Sequence, residues 1–142
     1  MRFDEFILGK VFETSSIKVS KEEIMSFADQ FDPQYMHLDE EKAKQGRFKG
    51  IIASGLHTLS LSFRLCIDVG MFGEEVIAGT GINNLRFIKP VFPDDTLYAF
   101  IKVIDKKKTK NNAGIVTMLV TSFTNEGEKV LEFEMSALVS CD

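Results

Sequence analysis

An aspartate and a histidine five positions apart, Asp32 and His37, are the side chains of this sequence best suited to acid–base chemistry. His37 is one of only 2 histidines in 142 residues. Pro33 cannot lie inside a helix and disfavours helical geometry just before it, so the segment is predicted to be a loop. A carboxylate and an imidazole held together on such a loop can transfer protons at neutral pH. The same spacing also fits two surface side chains that only form hydrogen bonds, and both interpretations stay open at this point.

A second segment extends the pattern around this pair. The eight residues from Asp32 to Asp39 read DPQYMHLD, and the residues from Phe48 to Gly55 read FKGIIASG. Together they resemble the signature of the MaoC-like dehydratases and (R)-specific enoyl-CoA hydratases, roughly Asp-x-Asn-Pro-x-His-x-Asp followed by Phe and a Gly-Pro-Ile-Ala-His-Gly run. Both aspartates, the histidine, the phenylalanine and the last glycine match in register. Four positions depart from the signature: Gln34 replaces Asn, Tyr35 and Ile51 replace Pro, and Ser54 replaces His.

The resemblance implies reversible hydration of a trans-2-enoyl-CoA, or dehydration of a 3-hydroxyacyl-CoA. Such a reaction needs a base that activates water, a proton for Cα and a donor for the thioester oxygen. The family's catalytic pair carries over to Asp32 and His37, and its oxyanion donor to the N–H of Gly55 at a helix start. Ser54 and Gln34 are further candidates for substrate binding. No metal or other cofactor is expected, because coenzyme A or acyl carrier protein serves only as the substrate's carrier.

Helical patterns lie on both sides of the pair. Ser20 and Glu23 form a capping box that predicts a helix from Ser20 to about Gln30, and a short charged helix is predicted from Asp39 to Lys44. From Leu56 to about Ile67, apolar residues fall on two faces of a longer helix. We therefore expect that helix to be surrounded by protein.

The second half of the chain is predicted to be an antiparallel sheet. Period-two alternation from residue 131 to 136 and three β-branched or aromatic runs give four or five strands, and residues 105–112 read as a polar hairpin loop. The fold class predicted from the residues is α+β. The resemblance implies the hot-dog fold, an antiparallel sheet wrapped around one long central helix, as a single domain over residues 1–142. The three β-branched or aromatic runs that predict strands are Gly79 to Ile88, Thr96 to Ile104 and Gly114 to Thr124.

A homodimer is the expected assembly. One sheet of four or five strands cannot enclose a helix without leaving a strand edge open. The resemblance implies that two subunits pair edge to edge, with each active site bordered by both chains, and further association of dimers stays open. Pro90 and Pro93 restrict one edge, whereas the strand from Gly114 to Thr124 has no proline or charge that would block pairing.

Two other functions fit the same fold. The first is an acyl-CoA thioesterase, but hot-dog thioesterases usually carry a carboxylate on the central helix and residues 56–67 contain none. The second is an acyl-thioester-binding or regulatory module without catalysis. The presence of both Asp32 and His37 counts against this module without excluding it.

Composition and charge narrow the partners and the location. The formal net charge of −4 gives no general attraction to nucleic acid or to an anionic membrane. No stretch approaches the roughly 18 apolar residues of a transmembrane helix, and the segment from Met1 to Lys10 lacks the apolar run of a signal peptide. Cys66 and Cys141 have no metal-binding or redox spacing. We therefore expect a cytoplasmic protein with two reduced thiols.

Several lesser candidates have weaker patterns. His57 lies on the first turn of the long helix, where packing or a dimer contact is the preferred interpretation. The lysine-rich run from Lys106 to Lys110 could meet coenzyme A phosphates, although a solvated hairpin tip is the commoner role of such a run. Arg86 and Lys89, which precede Pro90 and Pro93, are equally good candidates for contacting the coenzyme A phosphates.

Overall fold

The computed structural model describes all residues from 1 to 142 and is built around a six-stranded antiparallel sheet. The strands lie in the order β1-β4-β5-β6-β3, and β2 pairs with β4 beside β1. Every pairing is antiparallel, and the helices precede the long strands, so the predicted α+β class is confirmed. After a 3-10 turn at Phe3–Glu5, the elements are β1 (Val11–Glu13), β2 (Ile17–Lys18), α1 (Lys21–Phe31), α2 (Tyr35–Leu38), α3 (Glu40–Gln45), α4 (Gly55–Asp68), β3 (Val76–Phe87), β4 (Thr96–Lys108), β5 (Ala113–Thr124) and β6 (Lys129–Ser140).

The capping box opens α1 as predicted. The Glu23 N–H donates to Ser20 Oγ over 3.1 Å, and the Ser20 N–H donates to Glu23 Oε1 over 3.3 Å. Asp32 is the C-cap residue of α1, and its backbone lies outside the helical region. The expected loop from Asp32 to His37 needs a correction, because its second half forms the single helical turn α2. Pro33 prevents α1 from continuing but does not prevent a new turn from starting two residues later.

One face of α4 packs inside the chain and the other does not. Thr58, Ser62 and Leu65 are buried, and the Ser122 hydroxyl of β5 donates to Ser62 Oγ over 2.7 Å. On the opposite face the large apolar residues are between about one third and one half exposed. The prediction that protein surrounds this helix therefore holds for one face only within a single chain. The exposed residues are Leu56, Phe63 and Ile67.

The sheet topology corrects two sequence predictions. The strand from Gly114 to Thr124 is the core of β5, which lies between β4 and β6 and cannot be an edge available for pairing. The free edge next to β6 belongs to β3 instead. The predicted loop at residues 105–112 is also too long, because β4 continues to Lys108. The reversal uses Asn111 and Asn112, both with positive φ, which asparagine tolerates in tight hairpin turns.

Alternate residues of β4, β5 and β6 form most of the sheet's part of the core. The expected alternation in β6 is confirmed, since Leu131, Phe133 and Met135 are buried while Glu132 and Glu134 lie on the other face. Ile101 of β4 and Met118 of β5 are fully buried in the same layer. The inner face of the sheet is thus a continuous apolar surface, and the start of α4 is held next to it.

None of the helices has the length and apolar character that a membrane-spanning helix needs.

Candidate active site

Asp32 and His37 come together between the end of α1 and the single turn α2. His37 Nε2 lies 3.3 Å from Asp32 Oδ2, and the two side chains are 7% and 18% exposed. His37 Nδ1 lies 2.6 Å from the carbonyl oxygen of Ile52. A carbonyl can only accept a hydrogen bond, so Nδ1 carries the hydrogen. When the ring is uncharged, Nε2 carries a lone pair beside the carboxylate and can accept a proton.

The carboxylate of Asp32 accepts a hydrogen bond on each oxygen. Ser54 Oγ donates to Oδ2 over 2.7 Å, and Gln34 Nε2 donates to Oδ1 over 2.6 Å. These two hydrogen bonds, that of Ser54 first, hold the pKa of Asp32 below its ordinary value, and the neighbouring His37 acts in the same direction. Asp32 is consequently ionised at neutral pH. Its negative charge faces the imidazole nitrogen that can take up a proton.

The first N–H of α4 has no acceptor. The N–H of Leu56 donates to Ser54 Oγ over 3.3 Å, and those of His57 and Thr58 donate to the carbonyl oxygen of Ser54 over 3.0 and 3.1 Å. Gly55 is the first residue of the helix, so no helix carbonyl is available to its own N–H. This N–H, at the positive end of the helix dipole, could therefore donate to an oxygen that gains negative charge.

Gly55 is also required by packing against Phe87. A Cβ atom added at residue 55 would lie 2.7 Å from the Phe87 ring, closer than carbon atoms approach. The absence of a side chain therefore has two consequences: Phe87 can lie over the helix start, and the space beside the N–H stays open. Phe87 is the last residue of β3 and is 57% exposed as a residue.

A cavity of about 300 Å³ adjoins this group of residues. Gln34, His37 and Gly55 line it together with 12 others, and 9 of the 15 lining residues are hydrophobic. Asp32 and Ser54 are not among the lining residues, and Ser54 is fully buried. The side chain of Ser54 faces Asp32 and not the cavity, so substrate binding by Ser54 stays a prediction. Gln34 can still contact a molecule there while its amide donates to Asp32.

The lesser candidates have different surroundings. His57 is buried, with its ring stacked on Phe27 at a centroid distance of 4.6 Å, which agrees with a packing role. Lys106 lies within β4 and donates to the carbonyl oxygen of Phe6, so it is not at a hairpin tip. Lys89 lines the cavity, and its Nζ lies 3.7 Å from Glu128.

Sequence reasoning missed two groups at the site. The carbonyl oxygen of Ile52 fixes the His37 tautomer, and a backbone carbonyl has no residue-type signal. The Phe87 ring comes from a distant strand and reaches Gly55 only through the sheet topology. No three His, Cys, Asp or Glu side chains are grouped so that they could hold a metal ion.

The long helix packed on an antiparallel sheet, with Asp32 and His37 beside the helix start, is the architecture of a hot-dog protein. Residues 5–124 match the MaoC like domain family. The chain therefore belongs to the MaoC-like domain family, and the hot-dog fold implied by the resemblance is confirmed.

One relative and two solved structures show the extent of the similarity. The uncharacterised protein YdeM of Bacillus subtilis (strain 168) is 53% identical over 139 residues, which cover 98% of this chain and 99% of YdeM. The structure of a monoamine oxidase regulatory protein from Archaeoglobus fulgidus superposes with a TM-score of 0.92 at 31% identity, covering 98% of this chain and 94% of that one. The R-hydratase PhaJ1 of Pseudomonas aeruginosa gives a TM-score of 0.76 at 25% identity, covering 99% of this chain and 86% of that one.

Proposed function

We propose that this protein is a hydro-lyase that hydrates a trans-2-enoyl thioester reversibly to the 3-hydroxyacyl thioester. The observation that carries the proposal is that His37, which lines a largely apolar cavity, has its Nε2 3.3 Å from the ionised carboxylate of Asp32. Membership of the MaoC-like family and the similarity to a named R-hydratase support this class of reaction.

In the proposed mechanism a water molecule donates one hydrogen to His37 Nε2 and the other to Asp32. As the water oxygen bonds to C3 of the substrate, its proton passes to Nε2, and the π electrons of the C2–C3 bond move towards the thioester oxygen. The carboxylate of Asp32 stabilises the resulting imidazolium. His37 then returns the proton to C2, and the enolate collapses to the product, so neither residue is altered after one turnover.

The free N–H of Gly55 is proposed to donate to the thioester oxygen as its negative charge develops. A donor aimed at a developing oxyanion acts mainly on the transition state and needs no reorganisation. The apolar part of the cavity, formed in part by Met36, Phe48 and Phe87, would hold the acyl chain. The mechanism uses no metal or other cofactor. Coenzyme A or acyl carrier protein as the thioester's carrier, and a cytoplasmic location, remain part of this proposal.

A thioesterase has less support on this chain. The one carboxylate of α4 is Asp68, at the opposite end of the helix from Gly55, about 20 Å away at 1.5 Å per residue. Arg64 Nε donates to it over 3.0 Å, and both side chains lie in solvent. No carboxylate of the helix is therefore available to activate water for thioester cleavage.

The test is an enoyl-thioester hydration assay that follows the loss of conjugated-enoyl absorbance over several acyl lengths. A free-thiol readout runs in parallel on the same samples. The proposal expects loss of absorbance without thiol release. Thiol release would identify a thioesterase, and saturable binding with neither signal would identify a non-catalytic acyl-thioester-binding module.

We also propose that the protein is a homodimer paired through β3. This edge strand exposes Ile77 and Ile82, which are 56% and 47% accessible, and an unpaired apolar edge is a template for a second strand. A second apolar cavity, of about 480 Å³, lies between the C-terminal half of α4 and the strands β3 and β6. Because Phe87 belongs to the β3 edge and to the cavity next to Gly55, the partner chain would border each active site.

Light scattering tests this assembly at micromolar concentration. A mass of about twice 16.0 kDa is expected for the unmodified chain. Ile82→Lys places a charge on the β3 edge and should give monomers with reduced activity. Ile7→Lys is the matched control, because Ile7 is 60% exposed but lies outside α4 and β3. A stable monomer that hydrates enoyl thioesters at the full rate would refute the dimer.

A further inference from the structure

Ser54 combines two hydrogen bonds that fix the direction of its hydroxyl. Its Oγ accepts from the N–H of Leu56 over 3.3 Å and lies 2.7 Å from Asp32 Oδ2. A hydroxyl has a single hydrogen, and an ionised carboxylate can only accept, so that hydrogen points at Asp32. Since Ser54 is fully buried, no water competes for either bond.

Gln34 completes the arrangement from the opposite side of the carboxylate. Its Nε2 donates to Asp32 Oδ1 over 2.6 Å, which leaves Oδ2 as the oxygen shared between Ser54 and His37. The two donors therefore fix both the rotation of the carboxylate and the oxygen that faces the imidazole. Neither donor occupies His37 Nε2, which stays free to accept a proton.

We propose that Ser54 is a positioning residue for the reaction, acting through Asp32 with Gln34 as its counterpart, and that it does not contact substrate. Ser54 holds Oδ2 next to His37 Nε2 and connects the acid–base pair to the first turn of α4, where the oxyanion donor lies. The hydroxyl also helps to keep Asp32 charged, so that a carboxylate faces the imidazole of His37. This inference rests on the proposed function for its kinetic part only.

The kinetic test compares Ser54→Ala with Ser54→Gly. Both variants remove the hydroxyl, but glycine is a much better N-cap than alanine, so only the alanine variant loses most of the capping stability. We expect both to lower kcat by one to two orders of magnitude, the range for losing a hydrogen bond to a charged group, with KM nearly unchanged. Ser54→Cys, which retains a weak donor of similar size, should recover part of the loss.

Two further variants separate positioning from other roles. Gln34→Met keeps the length of the side chain without the amide donor and should lower kcat in the same way. Ser20→Ala removes the cap of α1, where Ser20 Oγ accepts from Glu23, so it should reduce stability and leave kcat unchanged. A fall in kcat for Ser20→Ala equal to that for Ser54→Ala would mean that capping alone explains the effect.

A readout that needs no activity tests the inference separately from the proposed function. The carboxyl carbon of Asp32 can be titrated by NMR in the unmodified protein, Ser54→Gly and Gln34→Met. The pKa of Asp32 should move up towards its ordinary value in both variants, because each loses a hydrogen bond to the ionised form. An unchanged Asp32 titration would overturn the positioning role, as would a Ser54→Gly variant that changes KM and not kcat. A missing hydration activity with the titration as expected would refute only the proposed reaction.

Discussion

The acid–base pair gives the sharpest prediction of the mechanism, a non-additive double substitution. Asp32→Ala removes the charge that stabilises the imidazolium, and His37→Ala removes the nitrogen that accepts the proton. Each should lower kcat at least about 100-fold, which equals about 2.7 kcal/mol of activation free energy at about 1.4 kcal/mol for each factor of ten. Independent contributions would multiply to about 10,000-fold in the double variant, or about 5.4 kcal/mol.

The structure predicts a much smaller loss in the double variant. His37 Nε2 and Asp32 Oδ2 lie 3.3 Å apart, and in the proposed mechanism both act on one water molecule, so either substitution would disable the same step. We expect the double variant to stay near 100-fold, with a coupling free energy close to 2.7 kcal/mol, as for catalytic residues that act as a unit. The hydration assay at a saturating enoyl thioester concentration gives kcat for the unmodified protein, the two single variants and the double variant.

A matched substitution controls for changes that do not involve the chemistry. Asp29→Ala removes an exposed carboxylate three residues before Asp32 and should leave kcat unchanged. Asp32→Asn keeps the shape of the side chain, so a loss of activity in a stably folded Asn variant is due to the missing charge. Near-normal activity in both single alanine variants, or fully multiplicative losses in the double variant, would contradict the shared-water mechanism.

Three further outcomes follow from the surroundings of individual side chains. Gly55→Ala should abolish activity, because the added Cβ meets the Phe87 ring and fills the space beside the N–H. Adding Phe87→Ala removes the contact with the ring, so the double variant should regain stability but not turnover. Recovered turnover in the double variant would show that Gly55 is needed for packing alone. Burial lowers the pKa of His57. Below about pH 6.5 the unfolded chain therefore binds more protons at this residue than the folded protein does. The free energy of unfolding, measured in urea, should consequently decrease as the pH falls below that value. His57→Phe should flatten that drop. Burial raises the pKa of Cys66 to about 12, so a thiol reagent should modify only Cys141 in the native state and both cysteines in denaturant.

Local sequence signals predicted the elements with local causes. The capping box at Ser20 and the start of α4 at Gly55 depend on residues within one helical turn, and both were located correctly. The alternation in β6 predicted its buried face because a strand places successive side chains on opposite sides. The proximity of Asp32 and His37 was also within reach of sequence reasoning, since the two residues are only five positions apart.

Non-local arrangements were beyond the sequence. Residue types do not reveal that β5 lies inside the sheet and that β3 lies at its edge, because strand order depends on pairings between distant segments. The lysines after Asp105 looked like a loop, but pairing with β5 extends β4 through Lys108 despite their charge. The hydrogen bond from Ser54 to Asp32 was hidden for the same reason, because the two residues are 22 positions apart.

The start of α4 explains why a small hydroxyl residue suits position 54 in this chain. The site needs a donor for Asp32, an acceptor for the helix N–H of Leu56 and an unobstructed N–H at Gly55, all within one turn. Serine supplies the donor and the acceptor with a single oxygen and leaves the space beside Gly55 to the cavity. In the proposed mechanism, His37 is the side chain that accepts the proton and returns it. The variant Ser54→His should add a titrating group to the pH profile of kcat. An unchanged pH profile in a folded, active variant would mean that position 54 has no electrostatic contact with Asp32 and His37.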